Sequence, residues 1–135
     1  MSDDNKETGK RLREAREFLL KIQTKEDLAE FLKIAGITQE QLKNYESGRT
    51  AVPSPLLVLL YELGINPTYI LTGEGTKFAG NPSGMIVKAA TLGEIDKSQD
   101  IKLLKLNPAL TSEDSKFRIL RAVAGNISKL IEQNE

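Results

Sequence analysis

The stretch that decides the fold of this chain is GITQEQLKNYESGRT, from Gly36 to Thr50. Thr38 is a good N-cap, because a threonine side-chain oxygen can accept a hydrogen bond from a free backbone N–H group in the first turn of a helix. Gln41 stands where it completes a capping box, and Ser47-Gly48 is typical of a helix end. The stretch therefore predicts a short helix that is capped at both ends.

This predicted helix has one apolar and one polar face. Ile37, Leu42 and Tyr45 are spaced so that the helix can turn them inward. The outward face is a row of hydrogen-bonding side chains: Gln39, Glu40, Gln41, Lys43 and Asn44.

The residues around this helix carry a family resemblance. Leu28-Ala29 precede a turn at Gly36-Ile37-Thr38, NYESGR closes the second helix from Asn44 to Arg49, and ILTGEG follows from Ile70 to Gly75. With these elements, the stretch from Lys10 to Lys77 resembles the helix-turn-helix domain of phage-repressor and Cro-like (XRE-like) transcription factors. The resemblance implies an all-α fold with a five-helix DNA-binding domain, whose second motif helix enters the major groove.

The chain departs from the family pattern at one place. The segment between Leu28-Ala29 and Gly36 is longer than the family usually has. Either the first motif helix gains most of a turn, or the turn between the two helices is enlarged.

The resemblance also implies which residues meet DNA. Amide, carboxylate and ammonium groups can read base edges, so the expected base contacts are Gln39, Glu40, Lys43 and Asn44. Residues near the starts of the two motif helices, and just after the second, are expected to hold the DNA backbone: Lys25, Thr38, Arg49 and Thr50, with Arg16 on the first helix as a further candidate. The alternative for each is a solvated polar residue on a surface helix. At the family position of Tyr45 the side chain packs against the core.

Composition excludes several classes of site. The 135 residues contain neither cysteine nor histidine, which removes disulfides, thiol chemistry and the common zinc sites. We therefore expect no enzyme activity, no cofactor and no metal. Lys plus Arg and Asp plus Glu number 19 each, so a DNA-binding surface has to come from local segregation of charge. The chain shows no apolar run long enough for a membrane span and no signal peptide, which predicts a cytoplasmic protein.

Residues 8–77 predict the five-helix domain. In the first helix, apolar residues recur at helical spacing and are expected to be buried: Leu12, Ala15, Phe18 with Leu19, and Ile22. Thr24 predicts the start of the second helix. The strongly apolar run from Leu56 to Leu63 predicts a buried fourth helix after Ser54-Pro55, and Asn66-Pro67 predicts a short fifth.

Residues 78–84 are predicted to be a linker and residues 85–135 a smaller, mainly helical oligomerisation region. The sequence does not decide between strand and helix for 85–90, and it suggests a helix from 93 to 106. The last helix carries a heptad seam: Phe117, Leu120, Ala124, Ile127 and Ile131. We expect this seam to pair subunits; the alternative is that it folds back onto the N-terminal bundle.

These features together predict a sequence-specific double-stranded DNA-binding regulator. We expect a repressor that binds an inverted-repeat operator as a dimer or as a higher oligomer such as a tetramer. The alternative is an antitoxin-like module, in which the C-terminal half binds another protein and the helix-turn-helix motif handles an operator.

Overall fold

A computed structural model describes residues 3–93, 110 and 113–133, and for residue 3 and residues 126–133 it describes the backbone alone. Within these residues the protein is all-α, as predicted, and contains one isolated antiparallel bridge between Ile65 and Phe78. None of the described helices is long and apolar enough to cross a membrane. The helices are α1 (Asp3–Glu14), α2 (Lys25–Ala35), α3 (Gln39–Ser47), α4 (Ser54–Glu62), α5 (Pro67–Thr72), α6 (Pro82–Leu92) and α7 (Arg118–Gln133).

The predicted capping residues form the helix starts. The hydroxyl of Thr24 accepts from the backbone N–H of Asp27 at 3.0 Å and begins α2. The side chain of Asn66 accepts from the N–H of Thr68 at 3.0 Å and begins α5, with Pro67 in its first turn. These bonds are local in sequence, which is why the pattern of residues alone identifies them.

The first helix ends in a π-helical turn, Ala15–Leu19, and because of this turn the predicted burial of Phe18 is wrong. The N–H of Leu20 bonds the carbonyl of Ala15 at 2.9 Å, so the turn holds one residue more than an α-turn. The added residue rotates the apolar face. Leu19 and Leu20 are therefore buried, and the Phe18 side chain is 60% exposed.

The longer spacing before Gly36 lengthens the first motif helix. Helix α2 continues to Ala35 and ends at Gly36, whose φ of +68° is in the left-handed region. Thr38 already caps α3, so the turn between the two motif helices stays short. The added residues extend α2 at its C-terminal end.

One hydrophobic core runs through all the described helices. Leu12, Phe31 and Leu60 are fully buried in it, together with Val87 of α6 and Leu120 of α7. Helices α1–α5 and the C-terminal helices α6 and α7 therefore share their apolar interior.

Residues 78–84 have a defined conformation. The N–H of Asn66 donates to the carbonyl of Lys77 and the N–H of Ala79 donates to the carbonyl of Gly64, both at 2.9 Å. The side chain of Asn81 caps α6 and also donates to the carbonyl of Tyr61 at 2.9 Å. These bonds fix the segment against the end of α4, and residues 85–90, which the sequence left undecided, are helical.

The first half of α7 packs inside the chain. Leu120 and Ala124 are buried in the shared core, and Phe117, in a 3-10 turn before α7, is half-buried against it. This arrangement is the fold-back alternative for those seam residues. The side chains of Ile127 and Ile131, and the suggested helix from 93 to 106, lie outside the described residues.

Two ion pairs join this C-terminal region to α2 and α4. Nη1 of Arg118 lies 3.3 Å from Oε1 of Glu30 on α2. Nζ of Lys116 lies 2.5 Å from Oε2 of Glu62 on α4, and this pairing raises the pKa of Lys116. The 3-10 turn and the start of α7 are thus tied to α4 and to the first motif helix, α2.

Candidate nucleic-acid interface

Helix α3 carries the predicted polar row on its surface. Gln39, Glu40 and Lys43 are exposed, and Asn44 is half-buried. Leu42 is buried on the opposite side. Tyr45 is partly buried and packs against the core, in agreement with its family position. The helix therefore presents the four candidate base-contacting side chains along one face.

The start of α3 is held by a complete capping box. The hydroxyl of Thr38 accepts from the N–H of Gln41 at 3.1 Å, and Oε1 of Gln41 accepts from the N–H of Thr38 at 2.8 Å. The Thr38 hydroxyl keeps its own hydrogen as a donor, and the N-terminus of a helix favours an anion. Both features suit a phosphate group at this end.

The loop after α3 is tied back to the helix. Gly48 ends the helix with φ of +80°, and the N–H of Thr50 donates to the carbonyl of Asn44 at 3.2 Å. Arg49 and Thr50 are exposed on this loop, and Lys25 is exposed at the first position of α2. The candidate backbone-contacting groups other than Arg16 are therefore free of core packing.

Arg16 is engaged inside the protein. Its Nε lies 2.7 Å from Oε2 of Glu46 and its Nη2 lies 3.0 Å from Oε1, which makes a bidentate pair between the π-helical turn and α3. The two side chains are only 11% and 13% exposed. The hydrogen bonds that Arg16 donates to Glu46 hold the pKa of Arg16 above its ordinary value. The guanidinium predicted to touch the DNA backbone thus clamps the C-terminal end of α3.

The backbone of α1 packs against the C-terminal end of α3 at very short range. A Cβ added to Gly9 would lie 2.4 Å from the carbonyl oxygen of Glu46, and one added to Gly48 would lie 2.6 Å from Cα of Lys6. Only glycine permits so close an approach of two backbones. The sequence signal for this contact was Gly9 itself, since glycine is unfavourable inside a helix.

Two other cations of the N-terminal domain, Arg11 and Lys77, have structural partners. Nε of Arg11 donates to the carbonyl of Ile70 at 2.8 Å and stabilises the end of α5. Nζ of Lys77 lies 2.8 Å from Oε1 of Glu14, and the same carboxylate accepts from the hydroxyl of Tyr69 at 3.2 Å. Among the described residues, no group of three or more acidic, His or Cys side chains is arranged to hold a metal ion.

The comparison with known families agrees with this geometry. A family model described as a helix-turn-helix domain matches residues 9–76, half of the chain. No curated protein and no solved structure gives a significant match. The matched residues contain both motif helices, the short turn between them and the exposed row of α3. The chain therefore belongs to the family of helix-turn-helix domains of the Cro-like (XRE-like) type, a family of DNA-binding regulators and not of enzymes.

Proposed function

We propose that the protein is a sequence-specific transcriptional repressor that binds double-stranded DNA with α3 in the major groove. The observation that carries this proposal is the exposed polar face of a nine-residue helix fixed at both ends. The capping box fixes its start, and Gly48 with the Arg16–Glu46 pair fixes its end. A rigidly held helix keeps its side chains in register with base edges.

The residues of α3 supply side chains that can form hydrogen bonds with base edges. The amides of Gln39 and Asn44 can each make a bidentate contact with adenine. Glu40 can accept from the amino group of cytosine, and Lys43 can donate to guanine or to a phosphate. Because Asn44 is half-buried, we expect it to be the candidate base contact that lies nearest to the body of the protein when α3 is in the groove.

Backbone contacts are assigned to the two helix starts and the loop. Lys25 and Arg49 supply positive charge, while Thr38 and Thr50 supply hydroxyl donors. Arg16 acts through Glu46, because its guanidinium positions α3 and is largely shielded from solvent. Among these candidate DNA contacts, each copy then has three exposed cations, Lys25, Lys43 and Arg49.

Three cations predict modest affinity from one copy. Releasing counterions at three phosphates gives a slope of about −3 for log affinity against log salt, and about −5 for two copies. A dimer or tetramer on an inverted repeat gains affinity by placing two α3 helices in successive major grooves, roughly 34 Å apart. Such a complex at a promoter blocks polymerase, which favours repression.

The test begins by selecting double-stranded DNA from a random library with the full chain. We expect an inverted repeat. With the selected site, Gln39→Ala should relax preference at one base position per half-site, because it removes a base-edge contact and leaves the charge unchanged. Arg49→Ala should weaken binding to every sequence and reduce the salt slope by about one per copy.

Lys88→Ala is the matched control, because Lys88 is an exposed cation on α6. It should leave both affinity and salt slope unchanged. If no DNA is selected, or if Arg49→Ala behaves like the control, the docking arrangement is wrong. A chain that binds no DNA and instead purifies with an unrelated small protein would favour the antitoxin-like function.

A further inference from the structure

A cavity of about 250 Å³ lies between the loop before α2, helix α2 itself and helix α7. Its inner wall is apolar. Ile22 of the loop and Val123 of α7 line it and are each 1% exposed, and Ile119 is 6% exposed, so the cavity ends on the shared core. Because α7 lies outside residues 9–76, the family match assigns no role to this cavity, which we call the α2–α7 cavity.

Four charged side chains border the apolar wall of the α2–α7 cavity. Two of them, Glu30 and Arg118, form the ion pair described above, at 3.3 Å. The other two, Lys21 and Asp27, are exposed, and in the part of the chain that the structure describes neither has an ion-pair partner. The cavity therefore offers one unpaired ammonium group and one unpaired carboxylate beside an apolar wall.

Backbone hydrogen bonds fix the positions of Lys21 and Asp27. The N–H of Ile22 donates to the carbonyl of Arg16 at 2.9 Å, and Lys21, just before it, has a φ of +59°, in the left-handed region. The N–H of Asp27 donates to the hydroxyl of Thr24 at 3.0 Å. A site whose backbone is already ordered loses less conformational entropy when it binds a small ligand.

The charges around the cavity favour a zwitterionic ligand. A ligand with only a negative charge would have two carboxylates beside it, and a ligand with only a positive charge would have two basic groups beside it. A free amino acid carries both charges. Its carboxylate can accept from Lys21, and its ammonium group can donate to Asp27.

The wall and the volume of the cavity limit the size and type of this amino acid. An apolar side chain would lie against Ile22 and Val123 and leave water, which is favourable. The volume of about 250 Å³ is just below the range of about 300–1,000 Å³ that is typical of pockets for drug-sized ligands. The ligand is therefore a small molecule and not a peptide.

We propose that the α2–α7 cavity binds a free amino acid with an apolar side chain of about the size of leucine. Lys21 binds its carboxylate, and Asp27 binds its ammonium group. The proposal goes beyond the proposed function and does not rest on it, because none of the candidate DNA contacts lines this cavity. The ligand would contact the first motif helix and the C-terminal helix together.

The test is isothermal titration calorimetry of the full chain with leucine, without DNA. We expect one saturable site per chain at leucine concentrations up to about 10 mM. Three analogues should each bind at least about tenfold more weakly, because each lacks one of the recognised groups. Isocaproate lacks the ammonium group, isoamylamine lacks the carboxylate, and glycine lacks the apolar side chain.

Substitutions test the two assigned charges. Lys21→Gln and Asp27→Asn should each raise the dissociation constant for leucine at least about tenfold, because each removes a charge-assisted hydrogen bond. Lys88→Gln and Glu26→Gln are the controls, since each removes an exposed charge that does not line the cavity. Ala122→Leu places a larger side chain in the cavity and should abolish binding. Circular dichroism should show unchanged helix content in all five variants.

Three results would overturn the proposal. The first is no saturable binding of leucine, isoleucine or valine at about 10 mM. The second is isocaproate or isoamylamine that binds as tightly as leucine. The third is Lys21→Gln and Asp27→Asn proteins that bind leucine as their controls do.

The outcome is separate from that of the proposed function. A chain that binds leucine but selects no DNA would sustain the amino-acid site and refute the repressor. A chain that selects an inverted repeat but binds no amino acid would sustain DNA reading and refute this site.

Discussion

Replacing Arg16 with methionine distinguishes a structural clamp from a DNA contact. The substitution keeps much of the side-chain length and removes the guanidinium that bonds Glu46 at 2.7 and 3.0 Å. If Arg16 is a clamp, the protein should lose stability. If it binds phosphate, DNA affinity and its salt dependence should fall with little change in stability.

The size of the stability loss follows from the burial of the pair. Breaking a fully buried ion pair costs about 3–5 kcal/mol, because the remaining charge is left without a partner. Exposed pairs contribute about 1 kcal/mol or less. With side chains 11% and 13% exposed, Arg16 and Glu46 lie near the buried limit. We expect Arg16→Met to reduce the free energy of unfolding by about 2–3 kcal/mol, which a domain of ordinary stability tolerates.

The assay is urea unfolding followed by circular dichroism, on Arg16→Met, Glu46→Gln and the double variant. Because the double variant leaves neither charge alone, its loss should be smaller than the sum of the two single losses, with a coupling energy of about 1–3 kcal/mol. DNA titrations at several salt concentrations complete the set. The salt slope should match that of the natural protein, since the clamped guanidinium neutralises no phosphate.

The result that refutes this reasoning is equally specific. An unfolding free energy within about 0.5 kcal/mol of the natural protein, with a salt slope reduced by about one per copy, would show that Arg16 leaves Glu46 to bind phosphate. The prediction from the sequence, that Arg16 meets the DNA backbone, would then be correct.

Two further predictions concern packing and pH. Gly9→Ala should reduce the free energy of unfolding by about 2 kcal/mol, because the added methyl group would lie 2.4 Å from a backbone carbonyl oxygen of α3. The control is Gly125→Ala, which has nothing within 4 Å and should raise the free energy of unfolding by up to about 1 kcal/mol. Equal stabilities of the two variants in urea unfolding would contradict the close contact between α1 and α3. Burial and then the charge of Glu14 raise the pKa of Tyr69, and the hydrogen bond that Lys77 donates to Glu14 raises the pKa of Lys77. Since both groups hold their protons longer in the folded protein, stability should be constant at neutral pH and fall above about pH 10, and Glu14→Gln should reduce that fall in pH-dependent unfolding.

Local chemistry explains what the sequence could predict. The capping box at Thr38, the cap at Thr24 and the Asn66-Pro67 start depend on residues within three positions of each other, so the pattern alone identifies them. The same holds for the outward face of α3, because helical spacing decides which of its residues share a side.

Tertiary contacts explain what the sequence could not predict. Phe18 is exposed because a π-helical turn shifts the apolar face, and nothing in the alternation of apolar residues signals that turn. The partner of Arg16 is thirty positions away, at Glu46, and its identity depends on how α1 crosses α3. The choice between pairing and fold-back for Leu120 likewise depends on surfaces that only the folded chain brings together.

The shared core has a consequence for any attempt to transplant the DNA-reading half. The family match ends at residue 76, but the apolar core that contains Leu12 of α1 and Phe31 of α2 also includes Ile86, Val87, Leu120 and Val123. A chimera that takes only the residues of the family match would expose part of this apolar core to solvent. The fragment that keeps the whole core is therefore longer than the helix-turn-helix domain, and it has to include the C-terminal helix α7.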